Sequence, residues 1–307
     1  MRALALTLET IAGQSSTEGK VQAAAAYLAS QPADRIAHAA RFLAGSPLPP
    51  GTAATRVGHS TLVDLVSAFA GADRRDLLRL ATSRGDLGLA VAEVLESRPG
   101  PTGPRLTLDE VATALAALGQ LGVDTRTYRL RGLLERASPL EAKYLTKLLL
   151  GSMRTGMQAA RVEEAITLAF DQPPSLVRRG HMLLGDIGVT AARAAADSLE
   201  RVTLCAFRPV RVMLAHPCEG PEEIGDLLPS PMIAEDKYDG IRAQVHIADG
   251  DMRLYSRALE DFSHLFPELR RIPPGLTGEW ILDGEVAAWL DGRAMSFATL
   301  QQRLGRR

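Results

Sequence analysis

The amino-acid sequence predicts a multi-domain protein, all-α over residues 1–205 and α+β, largely antiparallel sheet, over residues 206–307. Three observations carry this. A chain of 307 residues is long for one hydrophobic core. Up to about residue 205 apolar residues recur at helical spacing. Beyond that point the apolar period becomes two, and Asp-Gly pairs interrupt the alternation.

In chain order, MRALALTLETIAG reads as a first helix; it is mildly apolar and falls short of a signal peptide. VQAAAAYLAS, DRIAHAARFLA, STLVDLVSAFA and LDEVATALAALGQLG follow, rich in good helix formers. Asp34, Ser60, Thr107 and Ser138 stand where N-caps are expected. Breakers separate the helices: GSPLPPG at 45–51, RPGPTGP at 98–104 and DQPPS at 171–175. The stretch AARAAADSLERVTLCAF reads as the last long helix of this half. No strict repeat period is present, which excludes a solenoid.

In the second half IRAQVHI alternates, and ADGD then leads into MRLYSR. A two-residue turn at Asp249-Gly250 pairs Ala248 with Asp251, Ile247 with Met252 and Val245 with Leu254, which keeps the apolar faces together. The same register sets Arg242 opposite Arg257. Like charges across a ladder repel. Either both arginines splay into water, or an anion sits between them, for which guanidinium forks are suited. A second hairpin is expected from WILDGEVAAWL, Asp291-Gly292 and RAMSF.

Composition narrows the function classes. Hydrophobic residues at 46% and charged residues at 23% describe an ordinary soluble protein. A net charge of −1 does not advertise a polyanion partner, although balanced totals can hide a basic face. Cys205 and Cys218 are the two cysteines. They form no disulfide framework or metal-ligand cluster, and reduced cytoplasmic thiols are the default. No stretch is long enough to span a membrane. The six histidines show no metal-ligand spacing; His59, His181 and His246 read as surface or cap residues.

Lysine is scarce. Lys20, Lys143, Lys147 and Lys237 are four residues among 35 Lys and Arg. The lysine in EDKYDGIR, at position 237, can do what arginine cannot: lose its proton near neutral pH and attack as an amine. Arg242, Arg257 and a metal ion would supply the cationic setting that such chemistry needs. Gly240 permits a tight turn that brings backbone close to a ligand. Lys-x-Asp-Gly, an arginine five residues after the lysine, Ser-Arg on the return strand and Asp-Gly-Glu on a later strand form an ordered set.

That set resembles the nucleotidyltransferase core of ATP-dependent DNA ligases. EDKYDGIRAQVH looks like their motif I, LYSR like motif Ia and LDGEVAAW like motif III. The helical half resembles their N-terminal DNA-binding domain, most closely in YLTKLLLGSMRTGMQ at 144–158. The layout is similar to the shorter bacterial and archaeal enzymes, those of actinobacteria among them. The resemblance implies that Lys237 takes AMP through a phosphoramidate bond and that Glu235 lies beside the adenine. It implies that Arg242 and Arg257 contact ribose or phosphate, that Glu285 lies near the ribose and a divalent metal, and that Asp239 and Gly240 shape the motif I loop. It further implies ATP as AMP donor, Mg2+ as counter-ion, nicked double-stranded DNA as partner, a monomeric whole enzyme and a role in DNA replication, repair or recombination.

The chain ends at QQRLGRR, soon after motif III, whereas members of the family continue through motifs IIIa to VI. Phe297 is not the motif IIIa aromatic. The adenylation domain is therefore expected to be incomplete, and the chain to be a fragment that adenylylates itself poorly. In the helical half, Lys143 and Lys147 share a helix face at i, i+4. Gly151, Arg154 and Gly156 follow, and together these residues are candidates for phosphate contacts, with Arg154 foremost. RRGHML at 178–183 is a second basic candidate. The alternative readings are an RNA ligase or capping-type nucleotidyltransferase, an NAD-dependent ligase, and a DNA-binding module without catalysis.

Overall fold

The structure is a computed structural model and describes residues 1–304 apart from 102, 213–216, 229–230, 271–275 and 277. The chain divides into two units, Met1–Val202 and Thr203–Arg307.

The first unit is helical. It comprises α1 (Arg2–Gly13), α2 (Thr17–Ala29), α3 (Ile36–Leu43), α4 (His59–Ala70), α5 (Arg74–Arg84), α6 (Leu87–Glu96), α7 (Leu108–Leu118), α8 (Val123–Arg136), α9 (Pro139–Leu149), α10 (Ala159–Phe170), α11 (Pro174–Leu184) and α12 (Ile187–Ala195). The periodicity that predicts these helices is the periodicity of burial: α1 buries Leu4, Ala5, Leu8 and Ile11. The breakers at 45–51 and 98–104 fall between helices, and that at 171–175 runs into the first turn of α11, where Pro174 is tolerated. Thr107 and Ser138 are N-caps completed as capping boxes by Glu110 and Glu141.

Two expected caps lie elsewhere. The N-cap of α3 is Arg35 and that of α4 is Gly58. Ser60 sits inside the first turn of α4 and bonds Asp64 at 3.4 Å. The last helix is shorter than its alanine-rich sequence suggests. Asp197 takes a left-handed φ of 48°, and the Ser198 N–H donates back to the Arg193 carbonyl at 2.9 Å, closing the helix end.

The core of this unit gathers large side chains from many helices, with Leu8, Phe42, Leu43, Leu62, Leu115 and Tyr144 all fully buried. Buried ion pairs lie within this unit, among them that of Arg41 and Asp186. Arg41 on α3 donates to both oxygens of Asp186 at 3.0 and 2.7 Å. Asp186 also accepts from the Gly188 N–H at 2.7 Å, capping α12. A pair this buried needs additional hydrogen bonds to offset its desolvation, and Asp186 gains one from the α12 backbone.

The second unit contains α13 (Pro221–Leu227), β1 (Ile241–Ala248), β2 (Asp251–Ser256), two 3-10 turns at Ser263–Leu265 and Pro267–Arg270, β3 (Trp280–Val286), β4 (Trp289–Leu290), β5 (Arg293–Ala294) and α14 (Phe297–Leu304). An antiparallel sheet has the order β2-β1-β3. The β1–β2 hairpin has the predicted register, from Ala248 opposite Asp251 to Ala243 opposite Ser256. Asp249 and Gly250 both take positive φ, 51° and 78°, as a two-residue turn of this twist demands.

The second Asp-Gly turn joins only β4 and β5, two residues each. The longer hairpin read from the sequence does not form. Residues 280–286 pair instead with β1, from Ile247 opposite Trp280 to Ile241 opposite Val286. The free edge of β1 offers a longer ladder than the short Arg293–Ala294 segment can.

One sheet face carries Ala243 and Leu254 and packs on Phe262, Phe266 and Leu300. The opposite face buries polar groups against residues 207–210. The Phe207 N–H donates to His246 Nδ1 at 3.0 Å, the Val210 N–H to Gln244 Oε1 at 2.8 Å, and the Tyr255 hydroxyl to the Phe207 carbonyl at 3.1 Å. Burial lowers the His246 pKa, which favours the neutral ring that can accept at Nδ1. His246 and His181 are thus buried rather than superficial, with His181 against Glu163. His59 is exposed at the start of α4. Among the described residues no helix is long and apolar enough to cross a membrane.

Candidate active site

The stretch 232–239 has no regular secondary structure and leads into β1, and Glu235 and Lys237 lie exposed on it. Two contacts fix where this segment enters the sheet. The Asp239 carboxylate accepts from the Phe297 N–H at 3.2 Å, tying the segment to the start of α14. Gly240 lies so close to β3 that a Cβ there would strike the Val286 carbonyl oxygen and come within 2.9 Å of Glu285 Cγ. The glycine is therefore needed for the approach of backbone to strand, where the sequence suggested approach to a ligand.

Arg242 is the second residue of β1, directly across from Glu285 on β3. Its guanidinium grips Asp283 with two bonds, Nε to Oδ1 at 3.1 Å and Nη2 to Oδ2 at 2.6 Å. This bond from Asp283 raises the Arg242 pKa further. The expected Arg242–Arg257 opposition does not arise. The β1–β2 ladder ends at Ala243 and Ser256, and Arg257 turns away into the loop beyond. Like charges gain nothing by pairing, whereas the β3 carboxylates offer Arg242 an attractive partner on its other side.

The structure thus brings together Arg242, Asp283, Glu285 and Gly240 at one end of the β1–β3 pair. It does not bring Lys237, Glu235 or Arg257 into a hydrogen bond or ion pair with them; all three are exposed. Asp283 is a candidate site residue that the sequence reading passed over. The signal was available: in LDGEV, strand alternation sends Asp283 and Glu285 to the same face as Arg242. Among the described residues no group of three His, Cys, Asp or Glu side chains is arranged to hold a metal. A divalent ion here would be held by Glu285 and phosphate oxygens, the usual arrangement for Mg2+.

In the helical unit the expected basic face is divided. Lys143 and Lys147 are buried, at 8% and 7% exposure. Lys143 pairs with Glu9 and Lys147 with Asp86. Burial alone would raise the Glu9 carboxyl, but hydrogen bonds from Lys143 and Tyr144 bring it below the usual range. Both lysines therefore serve the fold, and neither presents its charge to solvent. The physical reason is cost: a buried ammonium must find a carboxylate, and those carboxylates lie far off in sequence.

Arg154 is different. It is exposed, takes a left-handed φ of 50° between Gly151 and Gly156 at 62° and 78°, and donates to the Gly85 carbonyl. The backbone N–H groups of Arg154, Thr155 and Gly156 have no acceptor among the described residues. In RRGHML, Arg178 and Arg179 are exposed, and Arg179 donates to the Val202 carbonyl at 3.1 Å.

Comparison with known proteins gives two family matches along the chain. The family model described as DNA ligase N terminus matches residues 1–167, and that described as ATP dependent DNA ligase domain matches residues 212–307. The chain belongs to the ATP-dependent DNA ligase family. It is 38% identical to a probable DNA ligase of Koribacter versatilis over 100% of this chain and 53% of that protein. It is 31% identical to a DNA ligase of Methanopyrus kandleri over 99% of this chain and 57% of that one. A DNA ligase of Methanothermobacter thermautotrophicus is 34% identical over 82% of this chain and 47% of its own length. The chain thus spans about half the length of these relatives. A solved structure named Pmar-Lig_PreS3 shares the fold, with a TM-score of 0.52 at 14% identity over 99% of this chain and 53% of that one.

Proposed function

We propose that the protein seals nicks in duplex DNA with ATP, through a lysine-AMP intermediate formed on Lys237. The observation that carries this reading is the entry of the Lys-x-Asp-Gly segment into β1, where Arg242 lies across from Glu285 and grips Asp283. Lys237 Nζ, as a neutral amine, attacks the α-phosphorus of ATP. A P–N bond forms, the P–O bond to pyrophosphate breaks, and the amine loses its proton to solvent. An oxygen of the nick's 5′-phosphate then attacks the AMP phosphorus, a P–O bond forms as the P–N bond breaks and Lys237 is returned; the 3′-hydroxyl next attacks the 5′-phosphorus, the bond to AMP breaks, and the hydroxyl proton passes to solvent. Arg242, held in place by Asp283, and Arg257 answer the phosphate charge. Glu285 serves the ribose and, with phosphate oxygens, Mg2+. Mg2+ held there would supply charge neutralisation on the transferring phosphate.

The helical unit grips the duplex at phosphates through Arg154 and the 151–156 loop, so binding is sequence-independent and salt-sensitive. The enzyme works as a cytoplasmic monomer. A sealing assay on the full-length protein with ATP, GTP and NAD compared tests this: sealing with ATP alone is expected. Sealing driven by GTP or NAD, or sealing confined to RNA ends, would transfer the protein to another nucleotidyltransferase branch.

A further inference from the structure

We propose that Lys20 is a DNA phosphate contact, extending the grip of the 151–156 loop onto the first turn of α2. The proposal rests on the DNA-binding reading of the helical unit and adds to it a residue outside the loop.

Four lysines occur in the chain. Lys143 and Lys147 are spent on buried carboxylates, and Lys237 is the proposed nucleophile. Lys20 alone has no assigned task. It is half-buried in the first turn of α2, and its ammonium has no hydrogen bond or ion pair among the described residues. The acid near it in sequence, Glu18, instead accepts from Gln22 at 3.2 Å. In a protein that elsewhere uses arginine, a lysine held in place without a counter-charge calls for a reason. Half-burial weakens its hydration and leaves its positive field uncompensated.

Its position supplies the reason. The Lys20 Nζ lies over Gly156, where a Cβ would come within 2.9 Å of it. Gly156 belongs to the loop that carries Arg154 and the three N–H groups without acceptors. The Lys20 ammonium thus lies beside a loop on which Arg154 and Gly156 are exposed and Thr155 is buried, and among the described residues none of these donors is paired with a carboxylate. A chain of phosphates matches that set: each takes charge-assisted bonds from a cation and from backbone amides.

The test is the salt dependence of binding to a nicked duplex by the full-length protein. Lys20→Met keeps the aliphatic stem packed over Gly156 and removes only the charge; Lys20→Arg keeps the charge. One phosphate contact contributes about 0.9 to the slope of log K against log salt. Lys20→Met is expected to lower that slope by about one and to weaken binding equally on unrelated sequences. Lys20→Arg is expected to hold the slope, and both variants to keep the wild-type thermal midpoint. A wild-type slope in Lys20→Met would overturn the assignment of Lys20 and leave the loop's role standing. Absence of salt-dependent duplex binding in the wild type would instead sink the DNA-binding reading, and this proposal with it.

Discussion

Arg242 is held by a carboxylate that the sequence carries 41 residues later. A guanidinium bonded at two nitrogens has a fixed plane, and that plane sets how it can meet a phosphate. Asp283→Asn keeps the shape and removes the charge. The pair is 38% and 52% exposed, so its loss is expected to cost under about 1 kcal/mol of stability. The cost to chemistry should be larger, because misplacing a positioned group slows reaction about 10- to 100-fold. Single-turnover adenylylation should therefore fall while the unfolding midpoint barely moves. An unchanged rate would remove Asp283 from the site. At this scale residue types and spacing were legible but partners were not. Lys237, Arg242, Arg257 and Glu285 could be singled out from the motif order. The burial of Lys143 and Lys147 could not, because Glu9 and Asp86 lie 134 and 61 residues away, and no local pattern announces such a pairing.

At the scale of elements, local rules were readable where local physics decides. Helical spacing placed α1 to α4, α7 and α9, and the Asp-Gly turn set the β1–β2 register because slipping by one residue would send Val245 and Leu254 to the wrong face. Where long-range contacts decide, the reading failed. Residues 280–286 found β1 rather than their sequence neighbours, and the alanine-rich last helix stopped at Ala195 because Asp197 took a left-handed turn. His246 alternates like a surface residue, yet segment 207–210 covers it. Gly240 shows how one position joins elements. Gly240→Ala would push a methyl into the Val286 carbonyl and force β1 and β3 apart at the proposed site. A loss of about 1–3 kcal/mol is expected, measured as a lower urea midpoint for the second unit. A midpoint equal to that of the parent would mean that the strand ends are slack.

At the scale of the whole molecule, two units with separate cores divide the proposed work: one grips phosphates along a duplex, the other carries the motif residues. The chain spans about half the length of its curated relatives, so the decisive chemistry belongs to an experiment on the full-length protein. Its central feature is an amine at position 237 in a chain that otherwise favours guanidinium. The most direct measurement is peptide mapping by mass spectrometry after incubation with ATP and Mg2+. The account predicts one AMP, carried on Lys237, and none in Lys237→Arg, whose guanidinium stays protonated below a pH of about 12. AMP on a different residue, or undiminished labelling of Lys237→Arg, would contradict it.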